Sequence, residues 1–149
     1  MAAVTMFPGA DLFKSQADVL VNATNASYIM GAGLALSFRL KFPGYYTSYM
    51  NADLVPGVIH TYKYAAPPPK AIVSLHTMLY PGEPGDIPMI KEGLVGLAMF
   101  MVENDYKSAA IPALGCGIGR LDWRTDVLPL IRQINTFYPD LRWDAYPPT

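Results

Sequence analysis

The chain has 149 residues, 52% of them hydrophobic and 15% charged, with a formal net charge of −1 at pH 7. That length suits one compact domain and is short for two, the apolar share argues against disorder, and the near-zero charge gives no general pull toward nucleic acid or an anionic membrane surface. The single cysteine, Cys116, leaves no internal disulfide framework and no multi-cysteine zinc site, which suits a reducing, cytoplasmic setting.

The N-terminal "MAAVTMFPGADLF" carries no positive charge ahead of an apolar stretch and places Pro8 and Gly9 too early for a signal helix. A short strand is expected at residues 3–7 and a firmer one at 19–21, where an apolar run meets Asn22. Helical segments follow at 33–41 and, more weakly, 45–52, then strands at 58–64 and 71–75. Between those strands, "AAPPPK" is better read as a stiff turn than as a polyproline ligand. After the Pro/Gly-rich loop "YPGEPGDIP", residues 87–102 form a helix that is apolar nearly all round and should be largely buried. Its unbroken apolar run, 94–102, falls well short of the roughly 20 residues a membrane-spanning helix needs.

A strand at 109–111, a helix from about 124 to 137 and a weak strand at 141–145 complete the series. Val127, Leu130, Ile131 and Ile134 lie on one stripe of the last helix, and Pro129 requires that it start late or bend. Strand and helix alternate through most of the chain, which predicts an α/β domain with a mostly parallel sheet covered on both faces.

In such sheets ligands sit beyond the carboxyl ends of the strands. Two glycine-bearing turns fall there: Gly31-Ala32-Gly33 after Asn22 and Asn25, and "PALGCGIGRLDW" after strand 109–111. Each opens onto a helix start and offers bare N–H groups at a positive dipole end, which can cradle phosphate without a lysine. Neither is a Walker loop, since the Gly-Lys-Ser/Thr ending is missing, and "GAGLAL" lacks the third glycine of the dinucleotide fingerprint. One such turn would equally suit a tight βα connection; two, with asparagine amides able to pair with sugar hydroxyls, point to a site.

"ADVLVNATN" with "MGAGLALSFRLKFP", followed some eighty residues later by "IPALGCGIGRLDW", resembles the macrodomain family of ADP-ribose binders. The likeness is to the branch of the terminal ADP-ribose protein glycohydrolase and the DNA ADP-ribosyl glycohydrolase antitoxins, and it spans nearly the whole chain. It implies a three-layer α/β/α sandwich with a mixed six-stranded sheet. It also implies that Asp11, with Leu12 beside it, receives the adenine amine. Asn25 and the segment Met30, Gly31, Ala32 and Gly33 would serve the distal ribose and a phosphate. Leu114, Gly115, Cys116, Gly117, Ile118, Gly119 and Arg120 would form the second phosphate loop, with Tyr146 covering adenine.

The glycohydrolases of this branch carry a lysine nucleophile in a Thr-Lys pair; here "SLHTMLY" keeps Thr77 and puts Met78 in the lysine position. Gly119 and Ala35 stand where other hydrolytic members carry aspartates. The remaining catalytic candidates are Asn25, His76 as a general base and Asp122 as an orienter of water, each with a plainer alternative: His76 a structural histidine, Asp122 an N-cap. Cys116 is expected to pack, as is His60. The resemblance implies either an ADP-ribosyl hydrolase, acting on a modified protein or nucleic acid or on ADP-ribose 1″-phosphate, or a non-catalytic sensor or sequestering binder. Either would be a monomer with no cofactor, metal or membrane partner.

Overall fold

The computed structural model describes residues 3–149. Six strands, β1 (Val4–Met6), β2 (Val19–Asn25), β3 (His60–Lys63), β4 (Ala71–Met78), β5 (Ser108–Ile111) and β6 (Arg142–Ala145), form one sheet in the order β1-β6-β5-β2-β4-β3. Every neighbouring pair is parallel except β3 with β4, which is antiparallel. The "AAPPPK" stretch is the turn of that hairpin, closed by the Tyr64 N–H donating to the Lys70 carbonyl at 2.9 Å. Strands β4 and β5 are buried along their whole length, as parallel strands covered on both faces must be.

Four helices cover the sheet: α1 (Gly33–Lys41), α2 (Pro43–Met50), α3 (Ile87–Glu103) and α4 (Leu128–Phe137). On one face α3 and α4 bury Val19, Val21, Val73, Leu75, Leu97, Ile131 and Trp143. On the other, α1, α2 and a 3-10 turn at Leu12–Lys14 bury Leu20, Phe38, Tyr45, Tyr49 and Ile72. Each such aliphatic side chain contributes about 1.5–3 kcal/mol when taken out of water. The result is the expected three-layer sandwich with a mixed sheet.

Local rules set the helix limits. Phe42 precedes Pro43, which disfavours helical backbone there, so α1 stops and α2 restarts with proline in its first turn. Asp86 caps α3 by accepting from the Met89 N–H at 3.0 Å. Pro129 lies in the first turn of α4, which starts late, after a π-helical turn at Trp123–Val127.

Two expectations are corrected. Helix α3 is not buried all round: Leu94, Leu97 and Met101 face the sheet, while Met99 and Val102 are exposed. Strands β2 and β4 run through Asn25 and Met78, beyond the apolar runs at 19–21 and 71–75. They do so because the tyrosines of α2 meet the polar residues on one face: Asn22 Nδ2 donates to Tyr45 Oη at 3.1 Å, and the Tyr45 hydroxyl pairs with Ser74. No helix among the described residues is long and apolar enough to cross a membrane.

Candidate functional site

Strands β2 and β5 are neighbours and parallel, so the two glycine turns that follow them emerge side by side at the carboxyl edge of the sheet. Between them lies a cleft of about 440 Å³ whose wall includes Gly31, Ala32, Gly33, Leu34 and Ala35 of the first turn and Gly115, Gly117, Ile118 and Gly119 of the second. None of the main-chain N–H groups of these nine residues has a partner among the described residues. The first backbone bond of α1 is donated by Leu36, to the Ala32 carbonyl, and no side chain caps the helix. A polar row of this kind, at a helix start, supplies the hydrogen-bond donors and the positive dipole end that an anion can take.

The turns are held from outside. The Gly85 N–H donates to the Gly119 carbonyl at 2.8 Å, tying the second turn to the loop before α3. A Cβ on Gly119 would lie 2.6 Å from the Gly115 carbonyl oxygen and 3.1 Å from the Met78 methyl, so only glycine fits. Gly115 itself has φ of +71°, a left-handed conformation that favours glycine. At the first turn, Asn25 Oδ1 accepts from Ser27 N–H at 3.0 Å and Ile29 N–H at 3.4 Å, and its Nδ2 donates to the Ile29 carbonyl at 2.8 Å. Asn25 thus folds the segment that carries Gly31, and one amide hydrogen remains for the cleft.

The polar side chains in the wall are Thr24, Asn25 and Thr77; it contains no acid, lysine, arginine, histidine, cysteine or tyrosine among the described residues. Thr77 Oγ1 is occupied, donating to the Thr24 carbonyl at 3.2 Å. The cleft can therefore bind through directional neutral groups, and no titratable side chain of its wall can hold or move a proton. No cluster of three or more His, Cys, Asp or Glu among the described residues is placed to hold a metal.

The Macro domain family model matches residues 21–128, which include both glycine turns. The chain is a macrodomain. A DNA ADP-ribosyl glycohydrolase of Mycobacterium tuberculosis is 30% identical over 150 residues, covering 96% of this chain and 42% of that protein. One from Thermus aquaticus is 31% identical over 122 residues, covering 78% and 34%. This macrodomain thus spans less than half the length of those relatives. The solved macrodomain of Mycobacterium tuberculosis DarG superposes with a TM-score of 0.93 at 29% identity, covering 100% of each chain. Thermosipho africanus DarTG, solved in complex with ADP-ribose, superposes at 0.86 with 26% identity over 97% of this chain and 42% of that one.

Of the residues singled out in the sequence, Asn25, Gly31, Ala32, Gly33, Gly115, Gly117, Ile118 and Gly119 come together in the cleft of this macrodomain. Met30 and Leu114 are buried beneath the two turns and support them. Arg120 is exposed at the outer end of the second turn, with φ of +57°. Asp11 accepts from the Phe13 N–H at 2.9 Å and caps the 3-10 turn, Leu12 packs in the core, and Tyr146 stacks on Phe7 with ring centroids 5.3 Å apart. These three lie outside the cleft wall.

Four other candidates resolve differently. Asn22 does not reach the cleft: β2 continues past it, and its amide is buried against Tyr45 with the Met30 sulfur 3.9 Å away. His76 is buried in β4, in register with Thr24, and neither ring nitrogen has a partner among the described residues. Burial, then the nearby His60, hold its pKa below the usual histidine value. Asp122 accepts from the N–H groups of Arg124 and Thr125, each at 3.0 Å, and caps the π-helical turn; these bonds lower its pKa. It lies with Cys116 on a separate depression behind the second turn. Burial, with Asp122 and Asp126, pushes the Cys116 thiol up to about 11, so it stays protonated and packs. The sequence reading missed Ile29 and Pro81 in the cleft wall, and gave no role to Ala23, Thr24, Leu34, Pro112 and Ala113 within the motifs it quoted. Pro112 and Ala113 directly follow β5, so the strand end marks them; Ile29 and Pro81 carry no local signal.

Proposed function

We propose that this macrodomain binds ADP-ribose as the ADP-ribosyl group of a modified nucleic acid, gripping the diphosphate through main-chain N–H groups. The observation that carries the reading is that nine residues lining one cleft at adjoining strand ends, five from the first turn and the start of α1 and four from the second turn, have main-chain N–H groups with no partner among the described residues. The diphosphate takes these groups, the distal ribose lies toward Asn25, and adenine extends toward Asp11 and Tyr146. Nucleic acid as the carrier is supported by the named activity of the relatives at 30–31% identity. The protein acts as a binder that senses or sequesters the modification, a reading supported by Met78 in the lysine position and by a wall whose polar side chains are Thr24, Asn25 and Thr77.

A second reading, removal of the ADP-ribosyl group, is favoured by the same relatives. Its chemistry would rest on a water positioned by the substrate diphosphate, with Met78 in the place of the family's lysine. Calorimetry with ADP-ribose tests the common part: absence of binding refutes both readings. Incubation with ADP-ribosylated single-stranded DNA separates them. The binder reading expects no release of ADP-ribose by the protein as it stands and release by Met78→Lys, whereas release by the unmodified protein establishes the hydrolase.

A further inference from the structure

Four exposed apolar residues lie in the cleft wall or next to it along the chain: Ile29, 41% exposed, and Ile118, 57%, in the wall, and Leu79, 46%, and Tyr80, 56%, between Met78 and Pro81, which line it. Ile29 and Ile118 line the cleft directly. Leu79 and Tyr80 are fastened to the Asn25 end of it. The Ala26 N–H donates to the Met78 carbonyl at 3.1 Å, and Ser27 Oγ donates to the Leu79 carbonyl at 2.5 Å. Tyr80 is then fixed by a turn in which the Glu83 N–H donates to its carbonyl at 3.2 Å, with Pro81 and the left-handed Gly82 (φ +93°) between.

We infer that Tyr80, flanked by Leu79 and Ile29, is a stacking platform for an unpaired base of the strand that carries the ADP-ribosyl group. The inference rests on the reading above, in which the distal ribose faces Asn25, so that whatever is joined to its anomeric carbon leaves the cleft beside Ile29 and Tyr80. The carrier must cover that edge. A peptide would bring polar main chain needing partners, and the exposed side chains at this edge, Ile29, Leu79 and Tyr80, are two aliphatic groups and one phenol ring. A nucleobase brings a flat π face, which stacks on an aromatic ring with little regard to sequence. Arg120, exposed on the second turn and in no ion pair among the described residues, is the cation these loops offer a backbone phosphate. Recognition of the strand is therefore by stacking, and its salt dependence should be shallow, near that of a single phosphate contact.

The test measures the affinity of the unmodified protein, Tyr80→Ala and Tyr80→Phe for free ADP-ribose, for an ADP-ribosylated single-stranded oligodeoxynucleotide and for an ADP-ribosylated peptide. Tyr80→Ala should leave free ADP-ribose unchanged and weaken the oligonucleotide about tenfold or more, while Tyr80→Phe retains it. A peptide that binds as tightly as the oligonucleotide and loses as much on Tyr80→Ala overturns the base platform in favour of a protein carrier. Indifference of the oligonucleotide to Tyr80→Ala, with free ADP-ribose still bound, overturns the platform alone. Failure of the unmodified protein to bind free ADP-ribose overturns the cleft reading and the platform with it.

Discussion

Gly119 and Tyr45 bracket what single residues do in this macrodomain. A methyl group on Gly119 meets the Gly115 carbonyl oxygen at 2.6 Å, an approach that only a shift of the second turn can relieve, and that turn presents four of the unpaired N–H groups. Gly119→Ala is therefore expected to weaken ADP-ribose about tenfold or more, roughly 1.4 kcal/mol, as read by calorimetry; unchanged affinity would mean that this turn does not hold the ligand. Tyr45 works away from the cleft. Burial pushes its phenol up to about 12, so it stays neutral and serves Asn22 and Ser74 as a hydrogen-bond partner. Tyr45→Phe leaves Asn22 Nδ2 with only the Met30 sulfur at 3.9 Å and Ser74 with only the long 3.4 Å contact to His60 Nδ1, and should cost about 1–3 kcal/mol in urea denaturation. ADP-ribose affinity should be unaffected, and a parallel loss of binding would return Asn22 to the ligand site.

At the scale of elements, the packing of α3 turns on two glycines three residues apart, Gly93 against Leu75 of β4 and Gly96 against Ile59 just before β3. A Cβ at Gly93 would lie 2.6 Å from Leu75 Cγ, whereas one at Gly96 would meet Ile59 at 3.7 Å, an ordinary contact. Alanine favours a helix over glycine by about 1 kcal/mol at either position. Overpacking against the fully buried Leu75 costs about 1–3 kcal/mol. Gly93→Ala should therefore lower the denaturation midpoint and Gly96→Ala raise it; equal shifts would show that helix and strand are not in rigid contact. This contrast also marks what could be read in advance. The alternation of strands and helices was legible because apolar period and glycine punctuation are local, and so were both turns. Asn22 was not, since an asparagine that ends an apolar run looks like a strand terminus until Tyr45, 23 residues on, is folded against it. The capping role of Asp122 was legible as an acid just ahead of a helix, whereas the π-helical form of the turn it caps is one that short-range pattern does not announce.

Across the whole molecule, the sheet face under α1 and α2 encloses two histidines that fold in neutral form. Burial lowers the pKa of both, and for His76 the proximity of His60 adds to it while the Val55 main chain, near the ring but outside hydrogen-bond geometry, opposes it. The other groups facing His76 are the Tyr49 ring, edge-on at 6.5 Å, and Thr24 in register on β2; neither is charged. Tyr49 is pushed above its usual range by burial. In the unfolded chain the histidines regain the ordinary value of 6.5. Below that value the unfolded state binds protons that the folded state refuses. Stability is then fully present above about pH 6.5 and falls with decreasing pH, by at most about 1.4 kcal/mol per group per pH unit. Asp122, whose pKa lies below 3.8, keeps its contribution until the pH falls much further, so the interval between belongs to the histidines. Urea midpoints should therefore drop between about pH 7.5 and about pH 5. His76 is the more deeply buried of the pair, so His76→Phe should remove the larger part of that drop. A midpoint that is flat across the interval, or an undiminished slope in the variant, would show that neither imidazole is kept neutral by the fold.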